Sequence, residues 1–314
     1  MQKRNLLIII LFLFTGTIGW SAERIWQNFD FDWQFRLGEQ GIYKPVQLPH
    51  DWSIELDFNE EVGPESGYLP GGIGYYKKDF NVPASYKGKR VSIVFDGIYH
   101  KATIYLNGQE VDYHRYGYTS FETDLTPYLK YGGKNTLSVK VDHSEKSRWY
   151  TGSGIYRHVW MQVTNPIHVK MWGTYITTPR VSAESAIVSC VTTVANTSAL
   201  TGEIEIMQRI VDAQGNLLKI NGKQYAARTE VVMPENGTKD IAQSFTLSNP
   251  QLWNLEKPYL YRLETILKQK GKVIDRYTTR FGVRTIGFDK DKGFFLNGKN
   301  IKMKGACLHQ DAGC

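Results

Sequence analysis

Among the places in this chain of 314 residues where a histidine lies close to a carboxylate two stand out, and a third constellation sets a cation beside two aromatic rings. His50 and Asp51 are adjacent, His309 and Asp311 are two apart, and Arg148, Trp149 and Tyr150 are consecutive. A His–Asp pair invites acid–base chemistry, in which a carboxylate orients an imidazole that moves a proton. The Arg-Trp-Tyr run offers flat faces for stacking and a forked donor for a hydroxyl or a carboxylate. Each constellation also has a plainer use. His50-Asp51 precedes Trp52 and reads as a structural turn in which the carboxylate takes up backbone donors. His309 can be a satisfied structural or solvated residue, and Asp311 can cap a following turn. Trp149 and Tyr150 would serve equally as packing in a domain interface.

Metal and thiol chemistry are not expected. Cys190, Cys307 and Cys314 form an odd, sparse set, which is no disulfide framework. Cys190, inside the apolar run AIVSCVTTV, reads as a small core residue. No Cys or His has ligand-type spacing to another, so neither a metal nor any other cofactor is called for. The net charge of +7 is spread, with Lys and Arg interspersed among Asp and Glu. A nucleic-acid binder would cluster its basic residues into a stripe, so that class is set aside. The 19 Tyr, 14 Phe and 8 Trp suit β-sheet packing and carbohydrate stacking alike, and do not decide between them.

The elements that must position these residues are strands. After a basic start at Lys3 and Arg4, residues 6–14 are apolar, and small and polar residues lead to Ser21 and Ala22. Residues 1–22 therefore read as an export signal, too short for a membrane span of about 20 apolar residues. The expectation is a periplasmic or secreted protein. The remaining length suggests about two domains of roughly 150 residues each. From residue 26 to 166, short strands alternate with turns. Asn107-Gly108 inside KATIYLNGQEV is a type I′ hairpin signal, and Leu137, Val139 and Val141 alternate with polar residues. The reading is an antiparallel jelly-roll sandwich. Asn165-Pro166 marks a boundary. About seven strands follow to residue 281, at the spacing of an immunoglobulin-like sandwich, without the Cys pair or core Trp of antibody domains. GVRTIGFD then links to a hairpin with Asn297-Gly298 as its turn. Residues 304–314, KGACLHQDAGC, read as a β-strand with nothing after it, the first strand of a third domain cut short.

Several segments in order are similar to glycoside hydrolase family 2, the β-galactosidase, β-glucuronidase and β-mannosidase group. They are LPHDW at 48–52, GGIGYYKKDF, FDGIYHKATIYLNGQEV with GYTSFETDLTPYL, SRWYTGSGIYRHVWM, NPQLWNLEKPYLYRL, RFGVRTIGF and FFLNGKNIKMKGACLHQDAG. The resemblance runs from residue 26 to the end, and the Ser-Arg-Trp-Tyr and Leu-His-Gln-Asp wordings lean toward the β-galactosidase branch. It implies an all-β chain: signal peptide (1–22), jelly-roll sugar-binding-like domain (23–166), immunoglobulin-like domain (167–282), and a linker with the first strand of a (β/α)₈ barrel (283–314).

The resemblance also implies function. Such enzymes are retaining exo-glycosidases that act on oligosaccharides with a terminal β-linked sugar, using two Glu residues on later barrel strands. No Glu here matches those positions, so this chain alone is expected to be inactive. The resemblance places His309 and Asp311 at the end of the first barrel strand against substrate, and Arg148 and Trp149 on a loop that reaches toward the sugar. An Asp that holds a monovalent ion near this loop in some relatives is matched by Ser147, so no metal is expected there. Arg157 is expected to form a buried or interface ion pair, and Trp253 and Tyr259 to be sandwich core and corner residues. A stand-alone carbohydrate-binding protein, a β-sandwich scaffold, and another sugar specificity within the family are the alternatives. An oligomer is left open.

Overall fold

The computed structural model describes residues 23–145, 149–220 and 223–307. Ten strands build the first domain: β1 (Ile25–Asn28), β2 (Trp33–Leu37), β3 (Lys44–Val46), β4 (Gly72–Val82), β5 (Arg90–Phe95), β6 (Ala102–Leu106), β7 (Gln109–His114), β8 (Phe121–Asp124), β9 (Gly133–His143) and β10 (Val159–Thr164). They form two antiparallel sheets, ordered β1-β10-β5-β8 and β3-β2-β4-β9-β6-β7. Period-two patterning explains which side chains meet. Val139 on β9 stands opposite Tyr76 on β4 and Ile104 on β6. All three are at most 1% exposed and form one inward row across three strands. The Asn107-Gly108 turn has both residues at positive φ, 54° and 85°, as a type I′ hairpin requires. The core closes around an aromatic stack in which Phe35 lies on Trp52 at 5.4 Å and 18°. Truncating such a buried ring costs about 3–5 kcal/mol.

The second domain is an immunoglobulin-like sandwich. Its strands are β11 (Ile167–Val181), β12 (Ser185–Asn196), β13 (Gly202–Val211), a short ribbon of β14 (Lys219–Ile220) and β15 (Lys223–Gln224), then β16 (Ala227–Met233), β17 (Gly237–Ser248), β18 (Tyr261–Gln269) and β19 (Lys272–Phe281). One sheet runs β11-β12-β17 and the other β16-β13-β18-β19. Cys190 is buried between them, its thiol 2.9 Å from Gln208 Oε1. Gln208 in turn donates to Thr192 and Thr265 at 2.8 Å each. A buried amide costs little when its capacity is met this way. Burial pushes the Cys190 thiol up to about 11, consistent with its expected place in the core. Trp253 and Tyr259 are half-buried at the edge of this domain. Arg284 lies over the Trp253 ring at 5.0 Å, and the Tyr259 hydroxyl accepts the Ala213 N–H at 3.2 Å.

Residues 283–307 depart from expectation in two ways. The stretch expected to be a linker contains β20 (Ile286–Asp289), which pairs with β21 (Gly293–Leu296), and β21 pairs with β22 (Lys299–Asn300). Alternation of Ile286 and Phe288 with Gly287 and Asp289 permits this extra strand. Residues 301–307 form no strand, and the rest of the stretch expected to be a barrel strand, residues 308–314, lies outside the described residues. No helix among the described residues is long and apolar enough to cross a membrane.

A buried ion pair joins the two domains. Arg24 Nη2 lies 2.9 Å from Asp275 Oδ2, with side chains 2% and 0% exposed. Asp275 also accepts the Val169 N–H at 2.7 Å, and Arg24 donates to the Val169 carbonyl. The guanidinium stands 4.7 Å over the Tyr277 ring. The ion pair expected at Arg157 is not formed. Arg157 is exposed and has no ion-pair partner among the described residues, because its stem runs over Gly97 on the solvent side.

Candidate functional site: a cleft at one end of the first domain

A cleft of ≈ 320 Å³ opens between the segment of residues 53–72 and the loop after β9. Its walls include Leu69, Pro70, His143, Glu145, Trp149 and Tyr150. Asp51 fixes these two pieces of chain to one another. Its Oδ1 caps the 3₁₀ turn Trp52–Glu55 by accepting the Ser53 N–H at 3.0 Å. The same oxygen accepts the Ser153 N–H at 2.8 Å, and Oδ2 accepts the Tyr150 hydroxyl. The structural reading of His50-Asp51 therefore holds, and the carboxylate's reach extends to a loop about a hundred residues away. Burial and then donation to Asp51 push the Tyr150 hydroxyl well above its ordinary range.

His50 is a structural residue as well. The Tyr76 hydroxyl accepts the Ile155 N–H at 3.4 Å and lies 2.6 Å from His50 Nδ1, a contact that holds the imidazole in the core. His50 Nε2 faces Glu55 at 3.4 Å, a long contact that makes no hydrogen bond. Burial lowers the His50 pKa, with Glu55 opposing.

A second chain of contacts lies just under the cleft floor. Ser53 Oγ donates to the Pro70 carbonyl at 2.7 Å. Ser153 Oγ is 2.6 Å from Ser53 Oγ, and His143 Nδ1 is 2.6 Å from Ser153 Oγ. Each hydroxyl has one proton. With the Ser53 proton on Pro70, Ser153 must donate to Ser53, and His143 Nδ1 must donate to Ser153. This count fixes the His143 tautomer and leaves Nε2 as an acceptor. Burial, reinforced by His100, takes the His143 pKa down to about 4 against the pull of Asp51 and Asp142. His143 is therefore neutral near pH 7. Gly154, next to Ser153, has φ +109°, and a Cβ there would stand 2.2 Å from Tyr76 Oη.

Of the residues singled out by sequence, Trp149 is 38% exposed on the cleft wall, and Tyr150 lines the same wall while tied inward. Arg148, His309 and Asp311 lie outside the described residues, as does Ser147. Sequence reasoning missed His143, Ser153 and Ser53. The signal was faint: a strand-end histidine, a serine in a 3₁₀ turn and a serine in a loop, drawn together only by the fold. Among the described residues no group of three or more His, Cys, Asp or Glu is arranged to hold a metal ion.

The description "Glycosyl hydrolases family 2, sugar binding domain" matches residues 30–168, and "Glycosyl hydrolases family 2" matches residues 167–284. The chain belongs to glycosyl hydrolase family 2. The two family 2 matches meet at residues 167–168, where β11 begins. The chain is similar to Beta-galactosidase BoGH2A of Bacteroides ovatus, with 41% identity over 91% of this chain and 35% of the relative. It is also similar to a "Putative beta-glucuronidase" of Formosa agariphila, at 34% over 93% of this chain and 28% of that protein. The solved structure of a family 2 member from Bacteroides cellulosilyticus superimposes with a TM-score of 0.83 at 37% identity, over 90% of this chain and 38% of that one. This family 2 chain spans about a third of the length of the curated relatives it matches.

Proposed function

We propose that the chain is the substrate-flanking, N-terminal part of an exported retaining exo-glycosidase, a β-galactosidase that releases terminal β-linked galactose from oligosaccharides. The observation that carries this reading is the 41% identity to Beta-galactosidase BoGH2A across 91% of the chain. In such a reaction one carboxyl protonates the leaving oxygen while another, about 5 Å away, attacks the anomeric carbon. Residues 1–314 contribute neither group in this proposal. Their part is to seat sugar beside that pair. Trp149 offers a face for stacking, Glu145 and neutral His143 Nε2 accept from hydroxyls, and Tyr150 and Asp51 hold the wall still. Arg148, His309 and Asp311 are proposed to add further contacts to sugar hydroxyls. Export rests on the basic and apolar pattern of residues 1–22.

A β-glucuronidase is the second reading, because several relatives at 29–34% identity carry that name. The protein expressed from its complete open reading frame should be assayed with nitrophenyl β-galactoside, β-glucuronide and β-mannoside. The galactoside is expected to show the highest kcat/KM by roughly tenfold or more, a preference of about 1.4 kcal/mol in transition-state binding. A higher value for the glucuronide would replace the first reading with the second. No hydrolysis of any of the three would overturn both.

A further inference from the structure

A second cleft, of ≈ 290 Å³, lies beside the first and is walled by Tyr99, Lys101, Arg115, Tyr116, Tyr118 and Glu145. We propose that these residues form a second carbohydrate subsite, which holds a neutral sugar unit further along the same oligosaccharide than the unit seated at Trp149. The proposal deepens the functional reading above and rests on its premise that the chain meets oligosaccharides, not on catalysis.

The rings supply the first argument. Tyr116 and Tyr118 are 60% and 52% exposed, so these large rings stand in water instead of filling a core. Their centroids are 5.7 Å apart at 70°, and Tyr118 and Tyr99 are 5.2 Å apart at 55°. A concave set of ring faces with hydroxyl tips matches a sugar, which presents apolar C–H faces and polar edges. Burial and the neighbouring Tyr99 push the Tyr118 hydroxyl up to about 12, which keeps it a donor.

The second argument is rigidity. Tyr99 and Gly154 exchange backbone hydrogen bonds at 2.9 Å in both directions. The Tyr156 hydroxyl donates to the Gly117 carbonyl at 2.8 Å, and Ser120 Oγ donates to the Asp96 carbonyl at 2.9 Å. A Cβ on Gly117 would stand 2.2 Å from the Tyr99 ring, so glycine is what lets this loop lie on that ring. Rings fixed in this way lose little conformational entropy when a ligand arrives.

Charge and position narrow the ligand. Lys101 is ion-paired to Glu145, and Arg115 stands exposed in the same cleft. Both signs side by side suit neutral hydroxyls, which donate and accept, whereas a polyanion would meet the Glu145 carboxylate. Glu145 also lines the first cleft, and His143 on the first cleft's wall packs edge-on against Tyr99 at 4.9 Å. One layer of rings separates the two clefts, which makes them neighbouring positions along one chain of sugars.

The test is calorimetric titration of the full chain with β-1,4-galactotetraose, alongside saturation-transfer NMR to map which sugar units touch protein. The Tyr116→Ala/Tyr118→Ala variant is expected to bind about tenfold more weakly, near the upper end of what lost ring stacking supplies. Tyr116→Phe/Tyr118→Phe should stay within about threefold of wild type, because the faces remain. Circular dichroism confirms the fold of each variant. Unchanged affinity in the folded Ala variant would overturn the subsite, as would tighter binding of tetragalacturonate than of galactotetraose. Failure of the wild-type chain to bind galactotetraose, cellotetraose or mannotetraose up to about 10 mM would also overturn it. Loss of binding in Trp149→Ala but not in the Tyr variant would retain the first cleft and remove the second. Hydrolysis, assayed separately, tests the catalytic reading independently.

Discussion

Asp51 accepts the backbone N–H of Ser153 at 2.8 Å, across 102 residues of chain. A single side chain of the Pro-His-Asp-Trp segment thus holds the loop that follows Trp149. The carboxylate is a clamp for the cleft wall, while the neighbouring His50 turns toward Tyr76.

Asp51→Ala removes the acceptor of three donors at once: Ser53 N–H, Ser153 N–H and the Tyr150 hydroxyl. The expected loss is about 3 kcal/mol, because bonds to an ionised group are strong and the abandoned donors are partly buried. Asp51→Asn keeps an oxygen for the two N–H groups, and the Tyr150 hydroxyl can turn to accept, so about 1 kcal/mol is expected. Urea unfolding followed by Trp fluorescence checks the order. Equal effects of Ala and Asn would show that the carboxylate does not clamp the loop.

The interdomain pair makes a different expectation. Asp275→Ala leaves the Arg24 guanidinium buried without its carboxylate and also strips the Val169 N–H of its acceptor. Breaking one side of a buried pair costs about 3–5 kcal/mol. The Arg24→Met/Asp275→Leu double variant should recover much of that loss, since no buried charge is left unpaired. Thermal unfolding of the three proteins gives the comparison, and limited proteolysis near residues 165–170 reports opening of the interface. A double variant no better than Asp275→Ala would sink this account.

Stability should fall as the solution is acidified from pH 6.5 toward pH 4. His143 has its folded-state pKa at about 4, and burial also lowers those of His50, His100, His114 and His168 below the ordinary 6.5. Between the two values the unfolded chain binds more protons than the folded one, so the stabilising contribution is complete above pH 6.5 and is lost as pH drops to the folded pKa. Urea midpoints at pH 7.5, 6, 5 and 4.5 (about half-unit control suffices) should decline, and His143→Gln should flatten the decline. A midpoint constant across that interval would contradict the buried, neutral state of these rings.

Legibility differed between fold and cleft for a physical reason. Leu137, Val139 and Val141 alternate every second residue, and Asn107-Gly108 can hardly be anything but a tight turn, so the sandwich was readable locally. The short strand Ile286–Asp289 was missed because Gly287 and Asp289 read as linker until Phe294–Leu296 supply its partner. His143 and Ser153 flank one loop, 10 residues apart, but Ser53 is 100 residues from Ser153, and no local pattern announces a contact that exists only after the chain folds. Arg157 stands exposed instead of ion-paired because a motif carries residue type but not the direction in which a guanidinium leaves the bend before β10. Trp149 was singled out because an Arg-Trp-Tyr run on a loop is chemically conspicuous before any fold is known, and the fold places it on the cleft wall.

Gly154 gives the sharpest local expectation. Its φ of +109° lies where side chains are strained, and a Cβ there would sit 2.2 Å from Tyr76 Oη and 3.0 Å from the His50 carbonyl. Tyr76 cannot yield easily, being fully buried and bonded to His50 Nδ1. Gly154→Ala therefore combines backbone strain with overpacking and should cost about 3 kcal/mol or more. Gly298→Ala is the matched control. It also changes a positive-φ glycine, at +75°, but meets nothing within 4 Å, so about 1 kcal/mol is expected. Thermal melts of both variants separate strain from crowding. If Gly298→Ala proves as costly as Gly154→Ala, backbone conformation alone accounts for the effect, and the close approach of Tyr76 is not what demands glycine there.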